Sequence, residues 1–170
     1  DAILVGAAGD LSASRGADIL FQSIAKHAED LPGVHIAVAG FRDSKTRIPE
    51  AANIHDLGML PFADVPVFNA SLDIAVVYNR ASAFGDYCFP QKFYEVLACD
   101  VPLVAANVGE LGILLQQHPA LLYEDGDTES FVRVLRAQLE RRQLLELQVP
   151  TWRDQELLLG EHMQAVLTGA

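Results

Sequence analysis

The sequence predicts an α/β domain: a three-layer α/β/α sandwich whose central sheet is parallel. Three observations predict it. Short continuous apolar runs recur along the chain, as at 3–6, 34–40 and 103–106, and runs without polar alternation mark strands buried on both faces. Most are followed by a polar or glycine-bearing loop and then by a segment whose apolar residues keep helical spacing, so strand and helix alternate over the whole length. With 170 residues, 51% of them hydrophobic, the chain is long enough for one continuous core and reads as a single domain over 1–170. In such a domain the ligand cleft lies at the carboxyl ends of the strands.

The first strand is expected over 3–6, closed by Gly6. A loop over 7–14 leads into a helix expected from Arg15 and Gly16 to about Asp30, with Ile19, Leu20, Ile24 and Ala28 on its apolar side and Ser14 as its candidate N-cap. Gly6, Gly9 and Gly16 do not fit G-x-G-x-x-G, and no G-K-[ST] lysine is present, so neither a dinucleotide fingerprint nor a P-loop is read here. Leu31-Pro32-Gly33 makes a turn into a second strand over 34–40. The polar stretch that follows, with Arg42, Lys45 and Arg47, reads as a solvated loop.

A third strand is expected over 52–58, then a helix from about Ala63 to Ala70 and a strand over 72–78. His55 reads as a partly exposed strand histidine, with no second metal ligand near it in the sequence. Tyr78 to Phe89 fits no regular element, and loops of that length are usually functional or mobile. Pro90 suits the first turn of a helix running to about Cys99, because its missing N–H costs nothing there. Asp100 to Pro102 breaks that helix, and 103–106 resumes as a buried strand. Asn107-Val108-Gly109 opens a helix to about Gln117, a last short strand follows at 120–123, and Asp127 or Thr128 caps a helix to about Arg142 with Phe131, Val134, Leu135 and Leu139 along one side. After Pro150 a final helix runs from Thr151 to about Leu167.

The formal net charge of −11 argues against nucleic acid as a partner. It also repels free nucleotides at long range, so any nucleotide site must be a local basic pocket built from a few residues such as Arg15 or Lys92. Cys88 and Cys99 belong to no metal-like cluster and read as free thiols of a cytoplasmic protein. No apolar run approaches the ~18 residues of a membrane span. Asp1 leads straight into a strand with no basic region before it, so nothing reads as a signal peptide and the chain reads as cut from something longer.

The chemistry concentrates between Asp86 and Val104. Lys92 and Glu95 fall on neighbouring positions of one helix face, just past a strand end and a loop. First-turn N–H groups and a lysine suit a phosphate, and a glutamate one turn in suits sugar hydroxyls. On spacing alone the simpler reading is a surface Lys/Glu pair contributing a few tenths of a kcal/mol. Gly109 and Glu110 open the next helix, where glycine lets backbone N–H groups approach an anion and a glutamate also serves the helix dipole. Arg15, at an expected helix start, opposes the dipole.

Pro90-Gln91-Lys92-Phe93-Tyr94-Glu95-Val96-Leu97-Ala98, followed by Val101-Pro102-Leu103-Val104-Ala105, resembles the Pro-x-Lys-x-x-Glu, small-residue, Pro-Val-Val signature of retaining GT-B glycosyltransferases of the family 4, or group 1, type. Gly58-Met59-Leu60-Pro61, a short helix and then 72–78 are similar to the same family's passage in the same order, and the likeness spans essentially the whole chain. The resemblance implies a Rossmann-like domain, one half of a GT-B fold: the C-terminal half, which binds a nucleoside diphosphate sugar donor. It implies diphosphate contacts from Arg15 beside Gly16 and from Lys92, ribose contacts from Glu95, and contacts near the diphosphate from Gly109 and Glu110. The family's donor-sugar acid falls at Tyr87, so Asp86 beside it is the candidate for that contact. The family's arginine directly after the strand glycine falls at Ala7. No cofactor and no metal are expected.

The same resemblance implies a partner in the protein's own N-terminal acceptor-binding domain, reached by the final helix with its opening Trp152 and its apolar Leu157 to Leu159 and Val166. This domain alone would then bind donor and turn over little, and any membrane association would come through the missing part, at the inner face of a membrane. The function expected is hexosyl transfer with retention in polysaccharide or glycoconjugate biosynthesis. The alternatives are a non-catalytic nucleotide-sugar-binding or regulatory domain, supported by Ala7 and Tyr87, and one half of a sugar-nucleotide epimerase.

Overall fold

The apolar start of the chain forms β1 (Ile3–Ala8), the strand from which the sheet grows in both directions. In the computed structural model, which describes residues 2–169, β1 pairs in parallel with β2 (Val34–Ala39) along its whole length, Ile3 opposite Val34 and Ala8 opposite Ala39. β3 (Ile54–Asp56) adds beyond β2. The chain then returns to the other side of β1 and places β4 (Ile74–Val77), β5 (Leu103–Ala106) and β6 (Leu122–Tyr123) outward in turn. The resulting order, β3-β2-β1-β4-β5-β6, is all parallel and reverses direction between β1 and β4. A crevice opens at that reversal, because the connections leaving the two strands go to opposite faces.

Helices cover both faces, as a parallel sheet requires. On one face α1 (Asp18–Lys26) packs beside α5 (Thr128–Glu140), burying Leu20, Ile24, Phe131 and Leu135 against Val5, Ile36 and Val76. On the other lie α2 (Val65–Ala70), α3 (Lys92–Leu97) and α4 (Gly109–Leu114), with Phe68, Phe93, Val96 and Leu111 over Ala75, Val77 and Leu103. α5 starts where Asp127 accepts hydrogen bonds from the N–H groups of Glu129 and Ser130, so of the two expected caps Asp127 is the one used. Beyond α5, Arg142 pairs with Asp73 at 2.7 Å, while Leu145 and Val149 pack against the second core. α6 (Trp152–Thr168) begins on a capping box between Thr151 and Asp154 and has no buried side chain. Its apolar residues, including Leu157, Leu159 and Val166, stand in solvent as expected. Among the described residues no helix is long and apolar enough to cross a membrane.

Several boundaries differ from the sequence reading. β1 does not stop at Gly6 but continues to Ala8, and Gly6 lies inside the strand because a Cβ there would meet the Ala37 carbonyl oxygen at 2.0 Å. The first helix does not start at Arg15. Ala13–Arg15 is a 3-10 turn ended by Gly16 in the left-handed region (φ 92°), and α1 begins at Asp18 with no side-chain cap from Ser14. α1 also ends at Lys26, and a second 3-10 turn occupies Ala28–Asp30. α3 is shorter than expected at both ends, starting two residues after Pro90 and leaving Cys99 in a turn before Asp100, whose φ of 53° no helix interior permits. α4 likewise stops at Leu114.

Candidate functional site

The crevice at the β1/β4 reversal holds a cavity of about 510 Å³, lined by the loop after β1, the strand-end residues Tyr78 and Asn79, and the first turn of α3. Arg15, Lys92 and Glu95 all line it, although the sequence separates the first from the other two by most of the sheet. None of the salt bridges among the described residues involves Lys92 or Glu95, so the simple surface ion pair allowed by their spacing is not formed. A depression of similar volume between α1 and α5 mixes acids with arginines, and no strand end opens into it.

Lys92 is held by an aromatic face. Its Nζ lies 3.3 Å from the centroid of the Tyr78 ring, and its chain packs against Gly9. Burial pushes the ammonium down to about 7; the Asp10 and Glu95 carboxylates oppose that shift and Arg15 adds to it. Tyr78 is fixed in turn by its hydroxyl, which donates to the Asp10 carbonyl at 2.8 Å, and burial raises its own pKa above the usual tyrosine range.

Arg15 is clamped on two sides. Its Nε donates to Asp10 Oδ2 at 3.2 Å, and its guanidinium lies 4.2 Å from the Phe84 ring centroid. Asp10 is anchored by the Ser12 N–H, 3.0 Å from Oδ1. Burial works against the Asp10 carboxylate, but hydrogen bonds from Ser12 and the contact with Arg15 outweigh it and hold its pKa below the ordinary value. The expected departure at Ala7 needs correction here. Ala7 is buried in β1 within the core, the glycine that closes the strand is Gly9, and the residue after it is Asp10. The cavity therefore has an acid where the resemblance implies a second cation.

The other four candidates lie outside the cavity. Asp86 is exposed on the loop after β4, and so is Tyr87 beside it. Gly109 adopts φ 54° at the start of α4, and a Cβ there would lie 2.7 Å from the carbonyl oxygens of both Gly85 and Asp86, so its place is set by close approach of that loop. Glu110 is exposed on α4. Gly16 packs against the backbone of Asn79.

The loop from 78 to 89 is tied down by residues the sequence reading passed over. Arg80 pairs with Asp18 at the start of α1, with Asp125 at 3.3 Å, and donates to the Ala13 carbonyl. Asn79 donates to the Gly85 carbonyl at 3.0 Å. These contacts set Phe84 over Arg15. Asp10, Tyr78 and Phe84 were all missed as site residues; the one available signal was that Asp10 and Tyr78 sit at strand ends. A second histidine does stand beside His55. His35 Nδ1 lies 2.9 Å from His55 Nε2 across the β2/β3 pair, and no group of three or more metal-ligating residues exists among the described residues. Arg42 pairs with Asp56 away from the cavity. Cys88 and Cys99 are free and partly buried.

A parallel sheet of this order, with a cavity at its reversal lined by Arg15, Lys92, Asp10 and Glu95, defines a doubly wound α/β domain. The chain belongs to the group 1 glycosyltransferases: the family described as "Glycosyl transferases group 1" matches residues 2–141. No curated protein matches the chain. Among solved structures, sucrose-phosphate synthase from Thermosynechococcus elongatus superposes with a TM-score of 0.76 at 15% identity, over 100% of this chain and 47% of that one. Anabaena HepE in complex with UDP-glucose gives 0.65 at 21% identity, over 82% and 40%. The C-terminal domain of the group 1 glycosyltransferase LpcC from Francisella tularensis gives 0.64 at 16% identity, over 81% and 75%. The chain thus spans about half or less of the first two of these, and its fold is that of a C-terminal GT-B domain.

Proposed function

We propose that this domain binds the nucleoside diphosphate sugar donor of a retaining glycosyltransferase. The observation that carries the proposal is the convergence of Arg15, Lys92 and Glu95 on one cavity at the sheet reversal. Arg15 and Lys92 hold positive charge beside the leaving diphosphate, where fixed charge stabilises the transition state more than the ground state and no metal is required. Glu95 accepts hydrogen bonds from the ribose hydroxyls. The complex of HepE with UDP-glucose and the chain's family membership both support this reading. The acceptor is held by the other half of the protein, so the domain alone binds donor and transfers little. The whole protein then serves polysaccharide or glycoconjugate synthesis on the cytoplasmic side, as a hexosyltransferase.

Asp10 favours a second reading. Its carboxylate takes up one donor of Arg15, as expected of a domain that binds without catalysing. Calorimetric titration with UDP, GDP and their sugar conjugates tests the donor site itself. One nucleotide is expected to bind, and both Lys92→Ala and Glu95→Ala to weaken it; binding untouched by both substitutions would sink the proposal. Turnover by the complete protein that is lost with Lys92→Ala would exclude the non-catalytic reading.

A further inference from the structure

Asp10 is linked to both cations of the cavity, to one by its side chain and to the other through its backbone. Its Oδ2 accepts from Arg15 Nε at 3.2 Å. Its carbonyl oxygen accepts from the Tyr78 hydroxyl at 2.8 Å, and the Tyr78 ring in turn carries Lys92 Nζ. The chain on either side of Asp10 is pinned to the end of β2. The Gly9 N–H donates to the Ala39 carbonyl at 2.8 Å and the Leu11 N–H to the Phe41 carbonyl at 2.7 Å. Gly40 packs so closely here that a Cβ on it would lie 1.8 Å from the Gly9 carbonyl oxygen. With Oδ1 also held by the Ser12 N–H at 3.0 Å, the carboxylate is fixed at the cavity wall. It is not sealed off there: the Asp10 and Arg15 side chains are 37% and 39% exposed.

A fixed negative charge thus stands among the groups that would hold a diphosphate. Two acidic and two basic side chains line the cavity, so its charges offset one another instead of summing to a strongly positive field. A field that is only positive holds the most highly charged ligand best. A nucleoside diphosphate sugar carries about two negative charges on its diphosphate, and the free nucleoside diphosphate about three once its terminal phosphate is above a second pKa near ~6. The extra charge falls on the phosphate that the sugar has left, and a nearby carboxylate repels it without touching it. We propose that Asp10 is a specificity-determining residue of the donor cavity, its carboxylate biasing the site toward the sugar-linked diphosphate and against the free nucleoside diphosphate. The inference rests on the donor-binding reading and deepens it by naming the charge class of ligand that the cavity favours. In a transferase this bias helps the spent nucleotide to leave. In a domain that only binds, it keeps free nucleotide from competing with the donor.

The whole chain is titrated by calorimetry at pH 8 with UDP, UDP-glucose, UDP-N-acetylglucosamine, GDP and GDP-mannose. Selectivity is read as the ratio of the dissociation constants of the free nucleotide and its sugar conjugate, for the base that binds. Asp10→Asn and Asp10→Ser remove the charge and leave the backbone carbonyl to Tyr78. Each is expected to move the ratio roughly 3- to 10-fold in favour of the free nucleotide, as for one screened charge contact at a partly exposed carboxylate. Raising the salt concentration should shrink that difference from the parent. Asp10→Glu keeps the charge and should keep the parent's ratio. A residue that only positioned Arg15 would weaken both ligands alike, so an unchanged ratio in both neutral variants would overturn the proposal even if affinity fell. A ratio moved as far by Asp10→Glu as by Asp10→Asn would overturn it too, since charge would then not be the cause. So would a parent that binds a free nucleotide and none of the conjugates. No binding of any of the five ligands by a cooperatively folded parent would refute the donor reading itself, whereas binding with a ratio indifferent to Asp10 would refute this role alone.

Discussion

A lysine whose charge is discouraged by burial until an anion arrives must take up a proton when the anion binds. With its pKa near 7 in the empty cavity, Lys92 is about nine-tenths neutral at pH 8 and about nine-tenths charged at pH 6. A diphosphate beside Nζ favours the charged form and raises that pKa. Binding a nucleoside diphosphate sugar, which has no phosphate group titrating in this window, is therefore expected to take up ~0.9 proton at pH 8 and ~0.1 at pH 6, with affinity falling roughly tenfold between them. The groups facing Lys92 do not confuse the reading. The Asp10 carboxyl is held below its ordinary value and burial raises Tyr78 above the usual tyrosine range, so neither changes charge between pH 6 and 8. Calorimetry in Hepes and in Tris at each pH reads proton uptake from the difference in heat, and Lys92→Arg should abolish the pH dependence because it cannot neutralise. An NMR titration of Lys92 Nζ in the empty chain checks the starting point without any ligand. A midpoint near the ordinary ~10.4, or affinity flat from pH 6 to 8, would refute the reasoning. The sign for folding follows too: the unfolded chain binds more protons at Lys92 between about 7 and ~10.4, so this residue's contribution to stability rises with pH across that window.

Gly109→Ala should cost about 1–3 kcal/mol and lower Tm by roughly 3–10 °C, since a Cβ at φ 54° would sit 2.7 Å from two carbonyl oxygens; thermal unfolding by circular dichroism checks it, and an unchanged Tm would contradict the close approach of the two loops. Arg80→Ala should cost about 1 kcal/mol and release the loop that sets Phe84 over Arg15, read as faster amide exchange at 81–88; exchange equal to the parent's would show that the loop is held by other contacts.

How much could be read in advance depended on distance along the chain. Lys92 and Glu95 share a short helix with Pro90 just ahead of it, so their spacing put them on one face, and the family resemblance pointed that face toward a ligand. Arg15 joined them in the sequence reading through the resemblance, and the order of strands that brings it to the same cavity comes from the structure. The end of β1 was misjudged because glycine usually breaks a strand. Gly6 instead sits where the neighbouring strand leaves no room for a side chain, and only the pairing of Ala8 with Ala39 shows that the strand goes on. With the closing glycine three residues further on, at Gly9, the site's unexpected residue moved from Ala7, buried in the core, to Asp10, bonded to Arg15.

By itself the sequence determined the fold class and the placing of Lys92 and Glu95 on one face of α3, because periodicity, turn residues and short spacings act within a few residues of each other. Tertiary structure alone decided that Tyr78 lies under Lys92, that Asp10 and Phe84 clamp Arg15, and that Gly109 answers to the loop at Gly85 rather than to the cavity. It also decided that Trp152 stands beside Tyr94 and Glu95. Each of these contacts joins residues on different elements, and what brings them together is the order and register of parallel strands, fixed by the packing of the whole sheet rather than by any one stretch of chain.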